Sequence, residues 1–143
     1  MIRYAVLTIS DKGSRGERED KSGKVIQEKM GTLPDAEMIR YEIIPDDVEQ
    51  IQSKLTEYAD VLKVDIVLTT GGTGFSPKDV TPEATRGILR KEAPGIAEAM
   101  RMIPFQKTKA AMLSRGVAGI RGKTLIINLP GSSKGVAESL DVI

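Results

Sequence analysis

The chain has 143 residues, with 21 Lys plus Arg against 20 Asp plus Glu and a formal charge of +1. That length predicts one domain, residues 1–143, and the charge balance supplies no global field for gathering nucleic acid or an anionic membrane. Cysteine and histidine are both absent, which excludes disulfides, zinc sites of the usual Cys/His kind, thiol nucleophiles and imidazole acid–base chemistry.

With no Trp, three Tyr and two Phe, the chain has few platforms on which single-stranded bases could stack. No apolar run approaches the ~18 residues that span a bilayer. Lack of cysteine is compatible with a reducing cytoplasm, and Met1-Ile2-Arg3-Tyr4 opens no export-signal pattern. The expectation is a cytoplasmic protein that handles something small.

The first predicted element is a buried strand, Tyr4 to Ser10, short and β-branched, feeding the polar loop "DKGSRGEREDKSG". Val25, Ile26 and Met30 then follow helical spacing from about Asp20 to Met30, with Gly31 as a stop. A second strand is predicted from Met38 to Ile44, ended by Pro45, and Val48, Ile51, Leu55, Tyr58, Ala59 and Leu62 form one stripe of the next helix, capped by Asp46 or Asp47. Asp65 to Thr70 is apolar enough to be covered on both faces, as parallel strands are. A glycine loop leads into a helix from Pro82 to about Lys91, and another helix is predicted around Ile96 to Met102. Strands near Val117 to Ile120 and Thr124 to Asn128, a glycine/serine loop and a last helix complete the chain. Strands alternating with helices predict a three-layer α/β domain with a largely parallel central sheet.

Ligands of such sheets collect beyond the carboxyl ends of the strands. Gly71, Gly72, Thr73 and Gly74 lie there; three missing β-carbons permit positive φ and close approach of backbone N–H groups to an anion. The loop is neither a phosphate-binding Walker loop, since no Gly-Lys-Ser/Thr ends it, nor a G-x-G-x-x-G dinucleotide fingerprint. It reads equally as a tight turn. Thr81 is expected as the N-cap of the following helix, with Pro82 at its first position. Asp79, two residues before that cap, either supports the helix dipole or holds Mg²⁺ against phosphate oxygens. Asp46 and Asp47 open a helix at another strand end, where capping is the plain alternative. Pro130, Gly131, Ser132, Ser133 and Lys134 offer hydroxyls, backbone donors and one cation to an anion, or a simple helix cap. Ser10 and Asp11 end the first strand and either join the site or belong to a solvated loop.

Taken together, "LTISDKGSRGEREDKSG", "IIPDD", "LTTGGTGFSPKDVTPEAT", "PGIAEAMR" and "MLSRGVAGIRGKTLIINLPGSSK" resemble the MoaB/Mog family of molybdenum-cofactor biosynthesis proteins, most closely its molybdopterin adenylyltransferase branch. The match is collinear over almost the whole chain. It implies a three-layer αβα molybdopterin-binding fold, usually a homotrimer, with hexamers in the sister branch. The implied reaction joins AMP from ATP to molybdopterin, with Mg²⁺ and release of pyrophosphate, ahead of molybdate insertion by a partner protein. The positions matching the family's catalytic aspartates are Asp46 and Asp79. Gly71 to Gly74 match the segment that binds phosphate and nucleotide, the loop with Ser132 and Lys134 matches another wall, and Ser114, Ser10 and Asp11 are further carry-overs. The rival within the resemblance is the sister branch, a molybdopterin-binding protein of the same fold with little or no turnover. Family members usually continue beyond the last helix, so stopping at "ESLDVI" predicts a truncated or contracted terminal helix.

Overall fold

The computed structural model describes residues 1–142. Six strands form one sheet: β1 (Ile2–Ile9), β2 (Ala36–Ile44), β3 (Ile66–Thr70), β4 (Lys91–Glu92), β5 (Ala118–Arg121) and β6 (Thr124–Leu129), in the order β2-β1-β3-β6-β5-β4. The first four in that order are mutually parallel, whereas β5 pairs antiparallel with β6 and β4 with β5. The helices are α1 (Asp11–Ser14), α2 (Lys21–Gly31), α3 (Val48–Thr56), α4 (Thr81–Arg86), α5 (Pro94–Phe105) and α6 (Ser133–Val142). A π-helical turn, Glu57–Val61, extends α3, and a 3₁₀ turn spans Lys109–Leu113.

Strand alternation divides the core into two layers. Ala5, Leu7 and Ile9 of β1, Val67 of β3 and Ile126 of β6 pack with Ile51, Leu55, Tyr58 and Ala84, so α3 and α4 cover one face. Tyr4, Val6, Leu68, Ile127 and Leu129 pack with Ile26, Met30, Met100 and Val136, which places α2, α5 and α6 on the other. The mixed three-layer α/β architecture with a largely parallel sheet is therefore as expected. No helix among the described residues is long and apolar enough to cross a membrane.

Several local expectations change. Val48 leaves the buried stripe and is exposed at the first turn of α3. The helix expected from Pro82 to Lys91 ends at Arg86, because Arg90 N–H donates to Ile120 O and Lys91–Glu92 pair with β5. Thr81 is not the N-cap: Val80 is, Thr81 opens α4, and the Thr81 hydroxyl donates to Gly71 O at 2.9 Å. Pro82 is accordingly the second helical residue, where its missing donor is still harmless. At α3 the capping carboxylate is that of Asp47, which accepts from Gln50 N–H.

The sheet order creates a switch point. β1 is followed through α2 by β2 on one side, whereas β3 lies on the other side of β1. The crevice between the carboxyl ends of β1 and β3 is where an open α/β sheet accepts a ligand.

Candidate functional site at the carboxyl edge of the sheet

A cavity of about 790 Å³ opens at that switch point. Its floor is made by strand ends carrying small polar residues, Thr8, Ser10 and Thr70, followed by Gly71 and Gly72. Both glycines have positive φ, +100° and +71°. A β-carbon at Gly71 would collide with the Ile9 carbonyl and one at Gly72 with the Thr81 hydroxyl, so the turn is closed to other residues on two grounds. Among the described residues no backbone acceptor takes the N–H groups of Gly72, Thr73 or Gly74. Thr81 N–H donates to Gly72 O and its hydroxyl to Gly71 O, so the start of α4 holds the turn from behind.

Of the acidic residues that line this cavity, the two singled out from the sequence come from separate elements, Asp46 from the end of β2 and Asp79 from the loop before α4. Asp46 is freed for the site because Asp47 does the capping. It is locked to Asp11 by a reciprocal pair: Asp11 N–H donates to Asp46 Oδ2 at 3.1 Å and Asp46 N–H to Asp11 Oδ1 at 2.9 Å. Burial, and then the negative charges of Asp11 and Asp79, push the Asp46 carboxyl above its ordinary value, against the Asp11 N–H that holds it down. Asp11 itself is lowered, first by the Asp46 N–H and further by Lys78, whose Nζ lies 3.6 Å from Asp11 Oδ2. Asp79 Oδ2 accepts from Ser76 N–H at 3.0 Å.

The sequence-derived residues divide between two places. Ser10, Asp46, Gly71, Gly72, Asp79, Gly131 and Ser132 line the large cavity. Asp11 stands behind Asp46 and outside the lining; Thr73 is buried, and Thr73 and Gly74 offer carbonyls to Arg115. Ser114, Pro130 and Lys134 line a second, smaller cavity of about 150 Å³ that shares Ser132 with the first. Ser132 Oγ caps α6 by accepting from Gly135 N–H, and Lys134 lies 3.9 Å from Glu138. The Ser10 hydroxyl likewise caps α1 through Gly13 N–H.

One wall was missed. Arg18, Glu19, Asp20, Lys21 and Ser22 close the large cavity from the α2 side. Asp20 is their anchor: it accepts from Gly23 N–H, from the Thr8 hydroxyl at 2.6 Å and from the Tyr41 hydroxyl. The helix start at Asp-Lys-Ser-Gly was a legible cap signal, but the bonds to Thr8 and Tyr41 have no local signature.

Two acids, unbonded loop N–H groups and a helix-backed glycine turn suit a polyanion carrying a hard cation. Among the described residues no set of three or more metal-ligating side chains is preassembled. Asp46 and Asp79 are oxygen donors of the kind Mg²⁺ takes, one or two carboxylates with the rest of its shell completed by phosphate and water.

Known proteins share this framework. A Helicobacter pylori (strain J99) protein named molybdopterin adenylyltransferase is 44% identical over 143 residues, covering 99% of this chain and 81% of that protein. Drosophila melanogaster molybdenum cofactor synthesis protein cinnamon is 43% identical over 99% of this chain, which corresponds to 24% of that longer protein. The crystal structure of the molybdopterin biosynthesis enzyme MoaB from Thermus thermophilus is 51% identical and superimposes with a TM-score of 0.94 over 99% of this chain and 89% of that one. The family described as "Probable molybdopterin binding domain" matches residues 5–143, and the chain belongs to it.

Proposed function

We propose that the protein is a molybdopterin adenylyltransferase, transferring AMP from ATP to the terminal phosphate of molybdopterin to give adenylyl-molybdopterin and pyrophosphate in molybdenum-cofactor biosynthesis. The observation that carries this reading is the meeting of Asp46, Asp79 and the Gly71–Gly72 turn in one cavity. The name of the H. pylori relative supports it.

An oxygen of the acceptor phosphate attacks the α-phosphorus of ATP; a new P–O bond forms as the bond to the α–β bridging oxygen breaks, and pyrophosphate leaves with that electron pair. The acceptor is already ionised at neutral pH, so no general base is needed, and a chain without histidine or cysteine suffices. Positioning and charge neutralisation are what remains to be supplied. The N–H groups of the glycine turn donate to phosphate oxygens. Asp46 and Asp79 would hold Mg²⁺, which when bound offsets charge on the triphosphate. Lys78, whose charge acts on Asp46, and the N-terminus of α6 add positive potential.

Replacing Asp79 by Asn tests the assignment. Transfer of labelled AMP from ATP to molybdopterin should fall by at least ~100-fold, with the melting temperature unchanged and molybdopterin binding altered by no more than a few-fold. Equal turnover in variant and parent removes Asp79 from the mechanism. The second reading is a MoaB-like binder of the same fold with little turnover; a parent that binds molybdopterin but makes no adenylylated product selects it.

The same reading makes the protein cytoplasmic, with a transient contact to the molybdenum insertion protein that consumes its product. It also makes it a homotrimer, with a hexamer as the alternative. Support for assembly comes from Met102, Ile103, Met112 and Leu113, all exposed on α5 and the 3₁₀ turn that packs against it.

A further inference from the structure

We propose that Arg115 is a positioning residue of this site, fixing the loop that presents Asp79. The inference rests on the adenylyltransferase reading for its kinetic consequence and on geometry for the rest.

Residues 73–80 leave the glycine turn, carry the exposed Phe75, and return to the sheet at α4. Within the loop the bonds are local: Asp79 N–H to Ser76 O, Ser76 N–H to Asp79 Oδ2, and Lys78 N–H to the Ser76 hydroxyl. A loop held only by such bonds can pivot as a unit. Arg115 prevents this from outside. Its Nε donates to Gly74 O at 2.7 Å, Nη2 to Asp79 O at 2.8 Å, and Nη1 to Glu83 Oε2 at 2.6 Å. Its own N–H donates to Thr73 O at 2.9 Å. One planar guanidinium thus fastens the start of the loop, the residue that carries the carboxylate, and the first turn of α4.

The clamp is itself held. On the neighbouring residues, Arg101 of α5 donates through Nη1 to Gly116 O at 2.8 Å and Ser114 O at 3.4 Å. Arg115 also lowers the Glu83 carboxyl, so the pair is ionised wherever the enzyme works. Three separated acceptors, two of them carbonyls, require the fork of donors that arginine has and lysine lacks.

Two variants, Arg115→Met and Arg115→Lys, test this in the intact chain. Amide hydrogen exchange reads the loop without any assay of turnover: protection at the hydrogen-bonded Ser76, Lys78 and Asp79 amides should fall by about tenfold or more in both, with β1, β3 and β6 amides unchanged. In the transfer assay kcat should fall by at least ~50-fold in Arg115→Met, with KM for molybdopterin within about threefold, and Arg115→Lys should recover little of it. Parent-like protection of the loop overturns the proposal. So does loss of protection spread over the whole sheet, which would mark a merely structural role, or full recovery by lysine, which would mark a charge effect without the fork. A parent with no adenylyl transfer defeats the proposed function and leaves the exchange measurement to decide Arg115 on its own.

Discussion

Asp46 carries its charge where burial and two neighbouring carboxylates oppose it, and that cost has a sign. Its folded-state value lies above the ordinary 3.8, with burial as the largest cause. The folded protein therefore holds this proton more tightly than the unfolded chain does. The resulting stability is complete below the ordinary value and is lost as pH rises through the raised one. At neutral pH the ionised Asp46 is a net liability, which the proposed mechanism accounts for by placing a carboxylate beside the phosphates. Asp46→Asn keeps an acceptor for the Asp11 N–H and removes the charge. It should be more stable than the parent at pH 7, by up to about 1 kcal/mol or a rise of a few degrees in Tm, with the difference vanishing near pH 3. Adenylyl transfer should drop at least ~100-fold in the same variant. Thermal melts at the two pH values and one activity assay check this, and an Asn variant less stable than the parent at pH 7 contradicts it.

Among the elements, α2 depends most on a single side chain. Asp20 caps it through Gly23 N–H and also receives the hydroxyls of Thr8 and Tyr41, tying the helix start to β1 and β2. Burial, and then the bond to Asp20, push the Tyr41 hydroxyl well above its usual titration range, so the network stays intact through neutral pH. Asp20→Ala removes the cap and leaves two part-buried hydroxyls without their acceptor. A cap is worth about 1 kcal/mol and a hydrogen bond to a charged group about 1.5–3. The variant should lose at least about 4 kcal/mol in urea unfolding, whereas Asp20→Asn, which can still cap, should lose about half of that. Equal losses would mean that the charge, and not the cap, carries the effect. Elements like these differ in how far sequence reveals them. The apolar runs of β1, β3 and β6 and the stripe of Ile51, Leu55 and Tyr58 announce themselves because burial on a periodic face is a local pattern. The short end of α4 does not, because Arg90 and Lys91 have ordinary helical propensity and it is pairing with Ile120, far along the chain, that pulls them out. The site divides in the same way: Gly71 and Gly72 can be read from their missing β-carbons, but Arg115 meets its partners 32 to 41 residues away, and no spacing encodes that.

At the scale of the molecule, the question is what covers the surface made by α5 and the 3₁₀ turn. α5 buries Ala97, Met100 and Pro104 against the sheet and turns Met102 and Ile103 outward, 66% and 55% exposed. Met112 and Leu113 of the adjoining turn are 61% and 46% exposed. Four large apolar side chains on two packed elements form the kind of surface that soluble monomers rarely leave to water, and a net charge of +1 does little to keep copies apart. The opposite faces of the same two elements line the second cavity, through Met100, Arg101, Thr108 and Ala111. Assembly through this surface would brace one wall of that cavity, so that if part of molybdopterin lies there, oligomeric state and its affinity covary. Replacing Met102 and Met112 together by Glu should convert a trimer into monomers in light scattering. The adenylyl-transfer assay should then show a KM for molybdopterin raised several-fold, with kcat less affected, because Asp46, Asp79 and the glycine turn lie on other elements. A parent that is monomeric at tens of micromolar refutes the trimer, and a monomeric variant with unchanged KM refutes the bracing while leaving the assembly in place.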